Sequence, residues 1–191
     1  MEIKILNSQI EFFKNEEEFI NSPNDGVVIA VLENTEVIYN ENSGCNLEYC
    51  NTHNIKAHKG KINTIGTGVV TLGSIVLTVK HKMSEGGESL SDRFSKALAK
   101  YLEDKGLSSV RCDNNDVMVE DGKVASGGEI IKNGFNYMGY QISINQDIIA
   151  IKNICNDKPM VKIPTPLSKF GITTEEMVEF CKNYWNKDFN D

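Results

Sequence analysis

The stretch from Asp113 to Gly128 constrains the fold most strongly, because it combines strand-like alternation with a tight-turn signal. Val117 and Val119 alternate with other residues and lead to Asp121-Gly122, the dipeptide that most often closes a two-residue hairpin. Lys123 then begins the returning strand. The pattern therefore predicts a β-hairpin with one lysine at a defined point next to its turn.

Small residues lie just beyond this lysine, at Ala125, Ser126, Gly127 and Gly128. They are too small to fill space, so another molecule can approach the backbone closely there. One cation beside small residues suits a carboxylate, an acyl carbonyl or a phosphate. The alternative is that the glycines mark a bulge and that Lys123 is one of many solvated surface lysines.

Two motifs around the lysine resemble those of a known enzyme superfamily. The residues from Asn115-Asp116 to Lys123 resemble the N-D-x-x-V-x-D-x-K pattern of lipoate-protein ligases. Lys123 to Ser126, with the glycines after them, is similar to the K-I-A-S-x-G segment of octanoyl-carrier-protein:protein octanoyltransferases. Both groups belong to the biotin/lipoate ligase superfamily, in which this lysine contacts the acyl carbonyl or the acyl-adenylate. The resemblance thus implies a catalytic role for Lys123 and substrate contacts at Ser126, Gly127 and Gly128.

Length and charge limit the classes of protein to consider. The chain has 191 residues, which predicts a single domain over 1–191 with a sizeable core. The resemblance covers about 26–180, and we expect no accessory domain of the kind that many lipoate ligases carry. Acidic residues outnumber basic ones by 27 to 20, for a formal charge of −7, and no basic stripe is present. A nucleic-acid partner is therefore not expected, because such binding depends on clustered positive charge.

The chain also lacks membrane and disulfide signatures. No apolar run reaches the roughly 18 residues of a membrane span. The start, M-E-I-K-I-L, lacks the layout of a signal peptide, so we expect a cytoplasmic protein with no membrane partner. Its five cysteines show no C-x-x-C spacing, which argues against a disulfide framework or a zinc site. We expect most of them to be reduced and buried, and no metal ligands are predicted.

Periodicity predicts the remaining elements. Helices are expected near 46–53, over 88–105, where Leu90, Phe94 and Leu98 recur at helical spacing, and after a Thr173–Glu176 capping box. Strands are expected at 26–32, 36–39 and 109–112, and on both sides of an Asn133-Gly134 turn. With the resemblance, this order implies an α/β domain of the α+β type. We expect a mixed, largely antiparallel sheet flanked by helices.

A glycine-rich segment precedes the long helix. Two β-branched runs separated by Gly73-Ser74 predict a second hairpin, and Gly66-Thr67-Gly68 predicts a tight turn before it. In the superfamily the corresponding segment shapes the acyl-chain tunnel, which implies substrate contacts here. The contacts implied are at Gly66, Thr67, Gly68, Val69, Gly73 and Ser74. The family's arginine and histidine are absent from this segment, so turns without a ligand are the alternative.

Two segments after the hairpin resemble octanoyltransferase motifs. Those enzymes carry Y-H-G in the first segment and P-C-G-I in the second. This chain has Tyr137-Met138-Gly139, so the resemblance implies a substrate contact at Gly139, while methionine replaces a histidine and cannot transfer a proton. Cys155 falls where those enzymes have their cysteine, although its flanking proline and glycine are missing. A thiolate there can carry an acyl group as a thioester. The alternative is a buried, unreactive cysteine.

The resemblance implies attachment of a lipoyl or octanoyl group to a lysine of an acceptor protein domain. In the ligase version ATP and Mg²⁺ convert the free acid to an acyl-adenylate, with Asn115 and Asp116 beside the nucleotide and Lys123 stabilising negative charge. In the transferase version no cofactor is needed, and Cys155 takes the acyl group from an acyl carrier protein. The alternative from a different class is a non-catalytic relative that binds an acyl group or a protein. The missing arginine and histidines favour that alternative, and Lys123 opposes it.

Overall fold

A seven-stranded sheet forms the centre of the fold in a computed structural model that describes residues 2–32, 36–39, 45–60, 69–70, 73–82, 88–155 and 164–188. The strands are β1 (Glu2–Leu6), β2 (Gly26–Val31), β3 (Glu36–Tyr39), β4 (Lys56–Lys59), β5 (Val69–Val70), β6 (Ser74–Lys82), β7 (Val110–Asp113), β8 (Asp116–Val119), β9 (Gly122–Lys132) and β10 (Phe135–Ser143). The helices are α1 (Gln9–Asn21), α2 (Leu47–Thr52), α3 (Leu90–Asp104), α4 (Ile148–Ile154) and α5 (Thr174–Asp188), and a short 3₁₀ helix covers Leu167–Phe170.

The central sheet has the strand order β1-β2-β6-β10-β9-β8-β7. Only its β1–β2 pair is parallel, and the other five pairs are antiparallel. The Asn133-Gly134 turn joins β9 to β10 as predicted, with both residues at positive φ. The predicted fold class, a largely antiparallel mixed sheet flanked by helices, is confirmed.

The predicted hairpin at Gly73-Ser74 is wrong, because its two runs enter different sheets. β5 pairs with β3 in a separate three-stranded sheet of order β4-β3-β5, whereas β6 pairs with β2 and β10. Gly73 has φ +62, and its carbonyl accepts hydrogen bonds from Ile144 N at 3.1 Å and Asn145 N at 2.7 Å. These bonds tie the start of β6 to the end of β10. The predicted turn at Gly66-Thr67-Gly68 lies outside the described residues.

Helices α3 and α5 cover one face of the central sheet, named here the helix face. The predicted long helix is confirmed as α3, which starts at the N-cap Ser89 and ends before Gly106 at φ +89. Its apolar stripe, including Phe94 and Leu98, packs in one core with Trp185 of α5. The Thr173–Glu176 capping box is also confirmed, with bonds of 3.2 Å and 3.0 Å between each backbone N–H and the other side chain.

Helix α1 lies against the opposite face, named here the polar face. Its last turn is held by Lys80 of β6, whose ammonium is fully buried and donates to Ile20 O at 2.9 Å. Phe12 and Ile20 of α1 are buried in the same region. None of the described helices is both long and apolar enough to cross a membrane.

Candidate functional site

The lysine hairpin is formed by β8 and β9, with its turn one residue earlier than predicted. Val119 pairs with Gly122, so Glu120 and Asp121 form the two-residue loop and Gly122 already belongs to β9. Glu120 adopts the left-handed conformation at φ +54. The predicted turn dipeptide Asp121-Gly122 is therefore wrong by one residue, while the predicted hairpin and the place of Lys123 at the start of its returning strand are confirmed.

A β-bulge sets the direction of the lysine. Val117 pairs with Ala125 but the next residue, Met118, pairs with Lys123, which leaves Val124 as an extra residue in β9. The bulge places Lys123 on the polar face beside Asp116. Lys123 Nζ lies 4.0 Å from Asp116 Oδ1, and the two side chains are 29% and 17% exposed. The result is a partly buried ammonium with a carboxylate partner.

Asn115 lies in the turn that precedes this strand. Asn114 and Asn115 join β7 to β8 with φ of +50 and +68, a conformation that asparagine adopts more readily than most residues. The Asn115 carbonyl accepts a hydrogen bond of 2.7 Å from the Tyr140 hydroxyl. Burial raises the pKa of Tyr140, so the phenol stays a neutral donor. The carbonyl of Asn115 therefore anchors the turn, with Asp116 as the next residue.

The polar face brings together most of the predicted substrate residues that the structure describes. Because side chains alternate across a strand, the register of β6, β9 and β10 gives these residues one shared face. The residues on it are Ser74, Asp116, Lys123, Ser126, Gly128, Gly139 and Gln141. Gly128 and Gly139 are directly paired, and Gln141 Nε2 donates to Ser74 Oγ at 3.1 Å. Gln141 was not singled out from the sequence, where a lone glutamine carries no signal.

Other predicted positions lie elsewhere. Gly127 is on the helix face, where a Cβ would lie 2.0 Å from the Tyr140 ring. Met138 is fully buried on the same face, so the position compared with the family's histidine belongs to the core. Val69 is in β5, in the second sheet, and Gly66, Thr67 and Gly68 lie outside the described residues. The roles given to these residues by the resemblance stay predictions.

Cys155 caps the end of α4, and this helix packs on α2 in an apolar cluster that includes Cys45 and Cys50. The Cys155 backbone N–H donates to Ile151 O at 2.9 Å. Cys45 Sγ lies 3.9 Å from Cys50 Sγ, and the pKa of Cys45 is raised to about 12 by burial, with smaller effects from Cys50 and Cys155. The thiols near Cys155 are therefore neutral. Lys123, in β9, lies beside Asp116 of β8 instead. All five cysteines are free thiols, and Cys112 is exposed.

A pocket of about 530 Å³ opens at the end of the central sheet. It is lined by the ends of β2, β6 and β10 and by α2, α4 and α5. Gly73 and Ser74 are part of its wall, so these two predicted residues border a cavity. Among the described residues of its lining are the carboxylates of Asp147 and Glu175 and the imidazole of His53.

The residues around Lys123 suit a nucleotide with its own metal ion better than a resident metal. Within the described segments no three His, Cys, Asp or Glu side chains group as metal ligands. Asp116 offers one carboxylate, and Mg²⁺ in nucleotide sites is commonly held by one or two carboxylates together with phosphate oxygens. Lys123 places a cation 4.0 Å from that carboxylate. Asp116 and Lys123 together would suit a magnesium–nucleotide complex.

No protein-family model matches the chain, and no curated protein matches it either. Solved structures do match. LipL1 of P. falciparum, in complex with lipoate, has a TM-score of 0.70 and 12% identity over 98% of this chain and 61% of that chain. The bipartite lipoate protein ligase of Thermoplasma acidophilum, described with its E2 lipoyl domain, has a TM-score of 0.70 and 13% identity over 100% of this chain and 84% of that chain.

A biotin protein ligase from Aquifex aeolicus, in complex with biotin and ATP, has a TM-score of 0.51 and 13% identity, over 94% of this chain and 66% of that chain. The chain therefore spans 61% of the length of the P. falciparum protein and more of the other two. At such identities the matches establish a shared architecture. This chain therefore shares the fold of the lipoate and biotin protein ligases that it matches, which is the architecture that its sequence motifs predicted.

Proposed function

We propose that this protein is a lipoate-protein-ligase-like enzyme that attaches a lipoyl or octanoyl group to a lysine of an acceptor protein domain. The observation that carries the proposal is the ammonium of Lys123, 4.0 Å from Asp116 on the polar face of a sheet with the ligase fold. Ser126, Gly128 and Gly139 lie on the same face, further along β9 and β10. The partly buried ammonium is thus the cation that a carboxyl group or a phosphate on this face would meet.

The chain's own residues would act on the carboxyl end of the acyl substrate. Lys123 stabilises the negative charge that develops on the acyl oxygen and on the phosphate, and such stabilisation is strongest where water is excluded. Asp116 attracts the ammonium and limits its rotation, so the cation stands ready before substrate arrives. ATP, when bound, supplies the activation of the carboxyl group. The acceptor lysine amine would then attack the acyl carbon, so that the amide bond forms as the bond from the acyl carbon to AMP breaks, AMP leaves and the amine loses a proton.

The geometry supports the ATP-dependent version over transfer through a cysteine thioester. Asn115, Asp116 and Lys123 lie on one hairpin and its entering turn, which matches the roles of nucleotide and acyl contacts. Cys155 lies at the end of α4, outside the hairpin that carries Lys123 and Asp116. A nucleophilic cysteine is usually found where a nearby cation stabilises the thiolate, and here the ammonium of Lys123 is paired with Asp116. The T. acidophilum ligase is described with its E2 lipoyl domain, so a lipoyl domain is the acceptor to test.

The test measures the intact mass of a lipoyl acceptor domain after incubation with this protein. One reaction contains lipoate, ATP and Mg²⁺, and a parallel reaction contains octanoyl carrier protein. We expect the lipoyl adduct only in the ATP reaction. Lys123→Ala should lower its rate by at least about 100-fold, within the range for loss of one charge-stabilising donor. Cys155→Ala should leave the rate within about twofold.

Lys132→Ala is the matched control, because this lysine is exposed at the far end of the same strand. It should behave as the unmodified protein does. An adduct formed only from the carrier, and lost in Cys155→Ala, would replace the ligase proposal with the transferase. No adduct in either reaction from a folded sample would count against an enzyme with these substrates. Acyl-group or lipoyl-domain binding in that sample would support the non-catalytic alternative.

A further inference from the structure

The backbone of Lys123 lies where β9 has lost its β10 neighbour and another segment has taken that place. The last pair between the two strands is Ala125 with Ile142, because the chain beyond β10 turns away to bond with Gly73. At Lys123 the missing partner is replaced by the segment 164–166. Thr165 N–H donates to Lys123 O at 2.8 Å, and Pro164 pairs with Lys123 as an isolated parallel bridge.

The side chain of Thr165 also occupies the space beside the preceding residue. A Cβ at Gly122 would lie 1.8 Å from Thr165 Oγ1 and 2.5 Å from Thr165 Cβ. The φ of Gly122 is not in the left-handed region, so the backbone conformation does not require glycine here. Glycine is required because any side chain would overlap Thr165. Gly122 and Thr165 therefore form a close-fitting pair, next to the candidate catalytic lysine.

Segment 164–166 contacts β9 where the pairing of this strand is least regular. The bulge at Val124 interrupts the hydrogen bonds between β8 and β9, so pairing with β8 alone holds the Lys123 backbone weakly. On the other side Thr165 is flanked by Pro164 and Pro166, whose rings restrict the backbone before and after it. The Lys123 backbone is thus held from both sides, by a bulged strand and by a rigid segment.

We propose that Thr165 is a positioning residue for Lys123. Packed against Gly122 and bonded to the Lys123 carbonyl, it sets where the ammonium stands relative to Asp116 and to the acyl substrate. The role in catalysis rests on the function proposed above, whereas the positioning itself is a property of the fold. A misplacement of about 1 Å at a reacting group can lower the rate by about 100-fold.

The test uses the close contact between Gly122 and Thr165 to design a clash and its rescue. Gly122→Ala places a Cβ on Thr165 and should displace the segment. Adding Thr165→Gly removes the obstructing side chain and should restore the contact, whereas Thr165→Ala should not, because its Cβ would remain 2.5 Å from the new methyl group. Thr165→Pro is an independent variant that removes the N–H donor to Lys123 O. Thr165→Ser, which keeps both N–H and hydroxyl, is the control.

The first readout is the rate at which an amine-acetylating reagent modifies Lys123 across a pH series, measured by peptide mass spectrometry with Lys132 as the internal reference. We expect Gly122→Ala and Thr165→Pro to change the Lys123 rate relative to Lys132 by at least about threefold, with a shifted pH profile. Gly122→Ala/Thr165→Gly and Thr165→Ser should match the unmodified protein. The second readout is acyl transfer. For Gly122→Ala and Thr165→Pro, kcat should fall by about 10- to 100-fold, while the KM for lipoate stays within about twofold.

The two readouts separate the positioning role from the proposed function. Unchanged Lys123 modification in every folded variant, or a lack of rescue by Thr165→Gly, would overturn the positioning role, even if acyl transfer were lost. Modification that follows the expected pattern in a protein without acyl transfer would uphold the positioning role and contradict the proposed function. Should Gly122→Ala fail to fold, Thr165→Pro against Thr165→Ser decides the outcome.

Discussion

At the residue scale, Gly127 shows how one position can satisfy a motif and a packing requirement together. The sequence places it among small residues next to a lysine, as in the superfamily motif. In the structure it faces α3 and the Tyr140 ring covers it. A Cβ there would lie 2.0 Å from that ring and 2.6 Å from the carbonyl oxygen of Gly139. The core therefore requires glycine at this position, whatever its role towards a ligand.

We expect Gly127→Ala to lower the free energy of unfolding by about 3 kcal/mol, because a methyl group is forced into a filled core. The matched control is Gly134→Ala in the β9–β10 turn, where no atom lies within 4 Å and only the positive φ opposes a side chain. Gly134→Ala should lower the free energy of unfolding by about 1 kcal/mol, the cost of a side chain in the left-handed conformation. Urea unfolding of both variants measures the difference. A Gly127→Ala variant no less stable than Gly134→Ala would contradict the packing argument.

At the element scale, a buried lysine attaches α1 to the sheet. Lys80 Nζ donates to the carbonyls of Ile20 at 2.9 Å and Phe19 at 3.4 Å and to the carbonyl of Ser22. The ammonium also lies 4.3 Å from the ring centroid of Phe135. Burial lowers the pKa of Lys80, and Asp25 acts in the opposite direction. A cation is thus placed at the negative end of the helix dipole, on carbonyls that have no partner within the helix.

We expect Lys80→Met to lower the free energy of unfolding by about 3 kcal/mol, because buried carbonyls lose their donor. Lys82→Met, two residues along the same strand and exposed, should change it by less than about 0.5 kcal/mol. Denaturant unfolding followed by circular dichroism gives both values. Equal effects of the two substitutions would show that the ammonium does not hold α1.

The start of α5 carries an ion pair that makes stability depend on pH. Glu176 accepts from Thr173 N–H at 3.0 Å and from Lys105 Nζ at 2.7 Å. The Lys105 bond, followed by the Thr173 bond, holds the pKa of Glu176 below its usual value of 4.5. A carboxyl group with a lowered folded-state pKa stabilises the fold above its unfolded pKa. That contribution is lost as the pH falls through the folded value.

Glu176→Gln should therefore be less stable than the unmodified protein at pH 7, and the gap should close as the pH falls below about 4.5, in accordance with the linkage relation. Melting temperatures from pH 7 to pH 3 measure this gap. Glu179→Gln, on the next turn of α5, is the control, because Glu179 is exposed and bonds to Asn183 instead of a lysine. A gap for Glu176→Gln that stays constant with pH would exclude the charge as its cause.

At the scale of the whole molecule, the sheet order predicts a gradient of local stability. β6 and β10 lie in the middle of the seven strands, while β1 and β7 form the edges. Amides that open only with global unfolding are found in central strands. We expect hydrogen–deuterium exchange to be slowest in β6 and β10 and fastest in β7. Equal protection of β7 and β6 would contradict this gradient.

Much of the architecture follows from the sequence because its signals are local. The stripe of α3, the capping box of α5 and the Asn133-Gly134 turn depend on residues within a few positions of one another, and each appears in the structure as predicted. The motif from Asn115 to Lys123 is equally short, and its resemblance to lipoate-protein ligases predicted the fold that the structure shows. The β8–β9 turn was misplaced by one residue, since a turn dipeptide alone does not show which pair closes the ladder.

What only the tertiary structure decided involves residues far apart in the chain. The chain around Gly73 was expected to form a hairpin, yet hydrogen bonds from the end of β10 direct β6 into the central sheet, and β5 joins another sheet. The bulge at Val124 assigns Lys123 and Asp116 to one face, and Gly127 is assigned to the other. Thr165 reaches Lys123 only through folding. Sequence periodicity shows which residues alternate along a strand. The face, the sheet and the distant neighbours of that strand depend on packing and hydrogen bonds that form only when the chain folds.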